Sequence, residues 1–188
     1  VERFGKLDFR AHLWPLINRD ALLTYYRTLA EHEPEVFVKD SSEFLLKFET
    51  LLDSAHHGEE VTRSEAEELL AEYLPEERFL QVRALAAPAE DLTFASGQEY
   101  QRWVRDYLSR DIDKSLAGLH SPEKMAIGAL QLAREHLKEL VREGKIADDS
   151  RVRDLAGWFG PMLEGLASGP PVQRIAELLA LAEAGVVQ

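Results

Sequence analysis

Ser96-Gly97-Gln98-Glu99-Tyr100-Gln101-Arg102-Trp103-Val104-Arg105-Asp106-Tyr107-Leu108 is the stretch that decides how the rest of the chain is read. Ser96 and Glu99 have capping-box spacing, in which a hydroxyl and a carboxylate satisfy N–H groups that a helix start leaves unpaired. Behind them Tyr100, Trp103, Val104, Tyr107, Leu108, Ile112, Leu116 and Leu119 recur at i, i+3 and i+4 as one uninterrupted stripe. The stripe predicts a long amphipathic helix and places Trp103 in a core. Ser121-Pro122 then caps and opens a second helix, whose Ala126, Leu130, Ala133, Leu137 and Leu140 share a face up to Gly144. With a tight turn at residues 118–121 between them, the two helices are expected to pack antiparallel as a central hairpin.

Upstream, Pro15 disfavours helical geometry at Trp14, so residues 1–17 are expected to be extended. Asn18 is the expected cap of a helix carrying Leu22, Leu23, Tyr26, Leu29 and Ala30, which Pro34 stops. Ser41 or Ser42 caps the next, with Phe44, Leu45, Phe48, Leu51, Leu52 and Ala55 on one face and Gly58 as terminator. Thr62 or Ser64 starts a third, in which Leu69, Leu70, Tyr73 and Leu74 face inward and Glu65, Glu67, Glu68 and Glu72 face water. Pro75 ends it or restarts a short helix through Phe79, Val82 and Leu85, and residues 88–95 read as a connection.

Downstream, residues 148–157 look like a shorter helix, after which the texture changes. Gly157, Gly160, Pro161, Gly165, Gly169, Pro170 and Pro171 interrupt an apolar run that includes Trp158, Phe159, Met162, Leu163 and Leu166. Glycine there permits close backbone approach or positive φ, which a simple bundle does not require. A final helix over residues 175–184 meets its stop at Gly185, and Val186-Val187 begins a β-branched run that reads as a severed strand. The expectation is one all-α domain, an irregular helical bundle. Residues 1–17 form its extended opening, 18–156 its bundle, and 157–188 a Gly/Pro-rich junction and terminal helix cut from a larger α/β protein.

The 188 residues are 45% hydrophobic and 30% charged, ordinary globular values. The absence of cysteine excludes disulfides, thiol nucleophiles and zinc fingers. No run approaches the ~20 apolar residues of a membrane span, and no signal peptide is evident, so membrane partners are not expected and the location is expected to be cytoplasmic. A formal net charge of -12 opposes phosphate backbones. The best basic cluster, Arg102, Arg105 and Arg110, is interleaved with Asp106, Asp111 and Asp113, so it reads as a solvated helix face and no nucleic-acid partner is expected.

Chemistry-bearing patterns fail one after another. No two glycines are separated by a single residue, which removes the G-x-G-x-x-G fingerprint, and there is no G-x-x-x-x-G-K-[ST] loop. Glu-x-x-His pairs for a di-iron site fail at His136 and His57, preceded three residues earlier by Ala133 and Ser54. The pair His56-His57 reads as a helix terminus rather than a metal site. Ser121 beside His120 lacks a nucleophile elbow and reads as a cap, and Glu59-Glu60 and Asp148-Asp149 read as solvated charge. Trp14 and Trp158, in Pro- and Gly-marked segments, pack in the core or cover a partner surface, with the core favoured. No catalytic, cofactor-binding or metal-binding residue is assigned.

Several strings nevertheless carry a resemblance: Leu13-Trp14-Pro15-Leu16-Ile17-Asn18-Arg19-Asp20-Ala21-Leu22, Tyr25-Tyr26-Arg27-Thr28-Leu29, and Ser168-Gly169-Pro170-Pro171 leading into Leu178-Leu179-Ala180-Leu181. Phe94-Ala95-Ser96 and Ser121-Pro122-Glu123-Lys124 add to it. Together they resemble the central helical region of large bacterial FAD/NAD(P)-binding multidomain proteins. The resemblance implies a nucleotide-binding fold split around this region, with FAD and NAD(P) held elsewhere in the parent and none here. It implies a helical accessory domain of a flavin-dependent oxidoreductase that shapes or covers the cofactor-substrate site, its partner being the flavin-binding domain of the same chain. Trp14, Arg19, Ser168, Gly169 and Pro170 then become candidate domain-junction or substrate-side contacts. The alternative from the residues alone is a helical protein-protein interaction module.

Overall fold

The computed structural model describes residues 5–56 and 63–187. Among them the fold is all-α: α1 (Trp14–His32), α2 (Ser41–His56), α3 (Arg63–Tyr73), α4 (Val82–Ala86), α5 (Gly97–Ala117), α6 (Pro122–Arg142), α7 (Asp148–Ser150), α8 (Gly160–Ala167) and α9 (Val172–Glu183). Extended pairing is limited, in the described residues, to one parallel bridge between Leu7 and Ile146. There Leu7 N–H donates to the Lys145 carbonyl at 2.7 Å and Ala147 N–H to the Leu7 carbonyl at 2.9 Å, which stitches the opening segment to the far side of the bundle.

The spine is α1 against α6, the most extensive helix contact in the molecule. Ala126, Leu130 and Leu137 of the predicted α6 stripe are buried, and Ala133 and Leu140 are half-buried beside them. Two cores lie along this spine. The first joins Leu23, Tyr26 and Leu29 of α1 with Phe44 and Phe48 of α2 and Leu70, Tyr73 and Leu74 of the α3 end, in edge-to-face and offset ring contacts. Such geometry satisfies the ring quadrupoles as well as excluding water. The second gathers Phe9, Ile17, Ala21, Val82, Leu130, Leu137, Ile146, Phe159 and Leu163.

Capping follows the sequence in several places. Ser96 Oγ accepts from Glu99 N–H at 3.2 Å, while Glu99 Oε2 accepts from Ala95 N–H, one residue ahead of the expected donor. Ser121 Oγ accepts from Lys124 N–H, as a cap should. Before α2, however, Asp40 accepts from Glu43 N–H, so the cap is this aspartate rather than Ser41 or Ser42. The proposed starts of α3 lie at its edge: Thr62 is outside the described residues, and Ser64 already stands within the helix. Gly118, Gly144 and Gly185 hold φ of 58°, 66° and 72°, the left-handed values that let a helix stop without a Cβ clash.

Two expectations are corrected. Residues 9–17 are helical rather than extended, Asp8 being the last extended residue: a π-helical turn, Phe9–Leu13, runs directly into α1, and Trp14 has helical φ −59° and ψ −42° despite Pro15. In the π turn Trp14 N–H donates to Phe9, five residues back, and Pro15 occupies the first turn of α1, where its missing N–H costs least. Asn18 is therefore mid-helix and no cap.

The expected boundary at residue 156 also falls inside a helical run, since α7, a π-helical segment Arg151–Phe159 and α8 follow without a break. Glycine is needed for space at Gly160, and the fit is tight at Gly157. A Cβ on Gly160 would stand 2.8 Å from the Leu155 carbonyl oxygen, and one on Gly157 3.3 Å from that of Val152, the close approach that the wide π turn creates.

The hairpin turn between α5 and α6 is present, but its arms touch mainly beside the turn. There Lys124 pairs with Asp111 at 2.7 Å and Lys114 with Glu123 at 2.8 Å. Beyond these clips α6 belongs to α1, whereas α5 packs chiefly against α9. No residue of α5 or α9 is fully buried, so Trp103 is half-buried rather than core, and Leu116 and Leu119 at the end of the stripe are 70% and 74% exposed.

Candidate functional site: the cleft beneath α5

Because α5 leans on α9 and not on the spine, a cleft of about 800 Å³ opens between this outer pair and the body. Its floor is Tyr25 of α1 and the segment around Phe79 and Leu80. α5 supplies Trp103, Tyr107, Arg110, Asp111 and Lys114, α6 supplies Glu123, Lys124 and Ile127, and Gly165 to Ile175 contribute the rim. A cleft of this size lies within the range of ordinary ligand sites.

The wall formed by α5 is ordered by helical spacing. Tyr100, Trp103 and Tyr107 lie on one ridge, their rings nearly parallel: Tyr100 and Trp103 at 6.3 Å and 21°, Trp103 and Tyr107 at 5.4 Å and 19°. Phe94 closes the ladder from the preceding loop at 5.6 Å from Trp103. One and two turns further along the same ridge stand Arg110 and Lys114. Lys114 and Lys124 are neutralised by their acidic partners, while Arg110 forms no ion pair among the described residues. Burial pushes up the hydroxyl pKa values of Tyr107 and, more strongly, of Tyr25, where nearby Glu123 adds to the effect. Both are neutral hydrogen-bonding groups at ordinary pH. The same lining carries the carboxylates of Glu77, Asp111 and Glu123, so rings, cations and acids meet in one cleft.

The five candidates from sequence do not converge. Trp14 is half-buried in the second core, edge-on to Trp158 at 4.8 Å and near Phe9 and Phe159. Trp158 is likewise half-buried against this core. Arg19 ties α1 to α2, its Nε and Nη2 donating to Asp53 at 2.8 and 2.5 Å, with Asp20 a further partner. Ser168, Gly169 and Pro170 are exposed in the α8–α9 link, and Gly169 and Pro170 reach the cleft rim. Sequence reasoning missed Trp103, Tyr107 and Arg110 as a wall, assigning the first to a core and the last to a solvated face. The available signal was the change from aromatic to cationic residues along one ridge.

One buried charge lies elsewhere. Asp154 is fully enclosed and accepts from Arg153 at 2.7 Å, Arg10 at 2.7 Å and Ser150 Oγ at 2.9 Å. Ser150 Oγ also accepts from Phe9 N–H, so the carboxylate locks the π turn of the opening to the π segment after α7. The Arg153 hydrogen bond, aided by those from Arg10 and Ser150, outweighs burial and holds its carboxyl far below the usual carboxylate range. Every bond is internal, which makes this a clasp. The His120 ring lies 4.4 Å from that of His32, and Ser121 Oγ is engaged with Glu123 and with the Lys124 N–H instead. Among the described residues no cluster of three or more His, Asp or Glu has metal-holding geometry, and no helix is long and apolar enough to cross a membrane. His57, Gly58 and Glu59-Glu60 lie outside the described residues.

No protein-family model matches the chain. It is similar to an L-aspartate N-monooxygenase (nitrosuccinate-forming) of Streptomyces davaonensis, 30% identical over 194 aligned positions. A protein of the same name from Streptomyces cremeus is 30% identical over 182, and nitrosuccinic acid synthase npaA of Aspergillus oryzae 29% over 182. Each match covers 96% of this chain and 26% of the relative, so the chain spans about a quarter of the length of the curated relatives it resembles.

Proposed function

We propose that this chain is the helical accessory part of a flavin- and NAD(P)-dependent oxidoreductase that oxidises the amino nitrogen of an amino acid such as L-aspartate. It shapes or covers the place where cofactor and substrate meet, excluding water and adding contacts while the cofactor performs the redox chemistry. The observation that carries this reading is the similarity over 96% of the chain to one quarter of three enzymes named for making nitrosuccinate. The residues here do not fit the pyrophosphate cradle of a flavin: the glycine fingerprint is missing from the sequence and no strand feeds a helix among the described residues. FAD therefore belongs to the partner, a flavin-binding domain of the same polypeptide. Leu178 and Leu181, 41% and 44% exposed on α9, support a contact of that kind.

The test uses the longer polypeptide that contains this chain. Purified with FAD, it is expected to show flavin absorption and to oxidise NAD(P)H in an L-aspartate-dependent way with nitrosuccinate as product. A colourless polypeptide that takes up no FAD overturns the proposal.

A further inference from the structure

We propose that α5 and α9 form a hinged flap that swings as one body over the cleft, pivoting at the 118–121 turn and at the 168–171 link. The proposal rests on packing within this chain and stands apart from the flavoprotein reading. The two helices hold each other more than they hold the body: α5 packs chiefly against α9, and the extensive helix contact of α9 is with α5. Neither has a fully buried residue. The rings of α5 turn on one another, Trp103 lying between Tyr100 and Tyr107 with Phe94 against it, and so stiffen the flap without fastening it. Among the described residues the ion pairs and side-chain hydrogen bonds of α9 are internal, from Gln173 and Arg174 to Glu177. Those joining α5 to the body are the two clips, Lys124 to Asp111 and Lys114 to Glu123.

Both clips sit beside the turn, close to the pivot. The far end of α5 is joined to the body through residues 87–96, which contain no helix. Gly118, at φ 58°, and Gly169, between α8 and α9, are element-terminal positions of the kind that absorb the backbone rotation of a hinge. Trp103 stands 15 residues from Gly118, a lever of about 22 Å at a rise of 1.5 Å per residue, so a rotation of about 20° carries it about 8 Å. The cleft supplies the reason to close. Leu80, Ile127 and Leu166 line its 800 Å³ from the body, Trp103 and Ile175 from the flap, and all five are half-buried. Closing removes that apolar area from water. Charge does not oppose the approach: Asp111 and Glu123 are already neutralised in the clips, and Arg110 on α5 is opposite in sign to Glu77 on the body.

Double electron–electron resonance between spin labels reads the motion, because the chain has no cysteine and each introduced pair reports alone. The labelled positions are exposed, and circular dichroism verifies each variant's fold. The R102C/E139C pair, from the far part of α5 to α6, is expected to give a distance distribution at least twice as wide as E31C/E139C within the α1–α6 spine. D113C/E139C, with its α5 label close to the turn, is expected to stay near the width of the spine pair, and so is R102C/A180C, within the flap. An R102C/E139C distribution as narrow as that of the spine overturns the proposal, for the cleft wall is then rigid. A broad R102C/A180C distribution overturns it as well, since the two helices then move separately, and a broad D113C/E139C distribution removes the pivot at the turn. None of these readouts involves flavin, so a rigid wall leaves the accessory reading standing, and a colourless polypeptide leaves the flap.

Discussion

Helices α5 and α6 are each 21 residues long, each is capped by a serine, and each carries a clear i, i+3, i+4 stripe, yet they end in opposite situations. The stripe of α6 is consumed by α1 and the two cores, with Ala126 and Leu130 fully enclosed. That of α5 buries nothing completely and turns rings and an arginine toward a cleft. Amphipathicity states that a face will be covered; it does not say by what. The composition of the stripe carries the rest. Ala and Leu on α6 offer only apolar area for packing, whereas Tyr, Trp and Arg on α5 combine apolar area with polar groups.

The contrast can be broken by mutation. Leu130→Ala, at the centre of the spine, is expected to cost about 2–5 kcal/mol, because a buried leucine leaves a cavity that the neighbours fill only partly. The equivalent truncation on α5, Leu108→Ala, is expected to cost under about 1 kcal/mol by the same measurement, chemical denaturation, since its side chain is only half-buried. Equal costs would mean that α5 is a core helix after all.

Gly160→Ala tests the body from another side, by forcing a methyl against the Leu155 carbonyl. A loss of about 1–3 kcal/mol is expected from overpacking, with the cleft unaffected; a neutral change would show that the π segment relaxes freely.

The Asp154 clasp sharpens the comparison through pH. Its folded pKa is depressed, so its contribution is present above the unfolded aspartate value of about 3.9 and is lost as pH falls through the acid range below it. Asp154→Asn is expected to lower stability at neutral pH by about 2 kcal/mol and to flatten the acid limb of the stability curve. Urea denaturation at pH 7 and pH 3 reads both, and an unchanged acid limb would remove Asp154 from the clasp.

What was legible in the sequence divides along the same line. The α6 stripe, the inward Leu69, Leu70, Tyr73 and Leu74, the Ser96 and Ser121 caps and the stops at Gly144 and Gly185 depend on local chemistry, and they stand in the structure. Trp14-Pro15 was misjudged because the rule against helix before proline is statistical. Here a π turn and packing against Phe9, Trp158 and Phe159 override it. The glycines of residues 157–165 read as a broken junction, although a widened helix needs Gly160 for clearance. The cleft depends on which helix α5 chooses as neighbour, and that preference is a sum over distant contacts with α9 that no local pattern records.

Native-state hydrogen exchange tests the central claim most directly, since it reports the free energy needed to open each helix. The mid-helix amides of α5 and α9 are expected to exchange well before those of α1 and α6. Equal protection of α5 and α6 would contradict the division into a packed spine and an outer cleft wall.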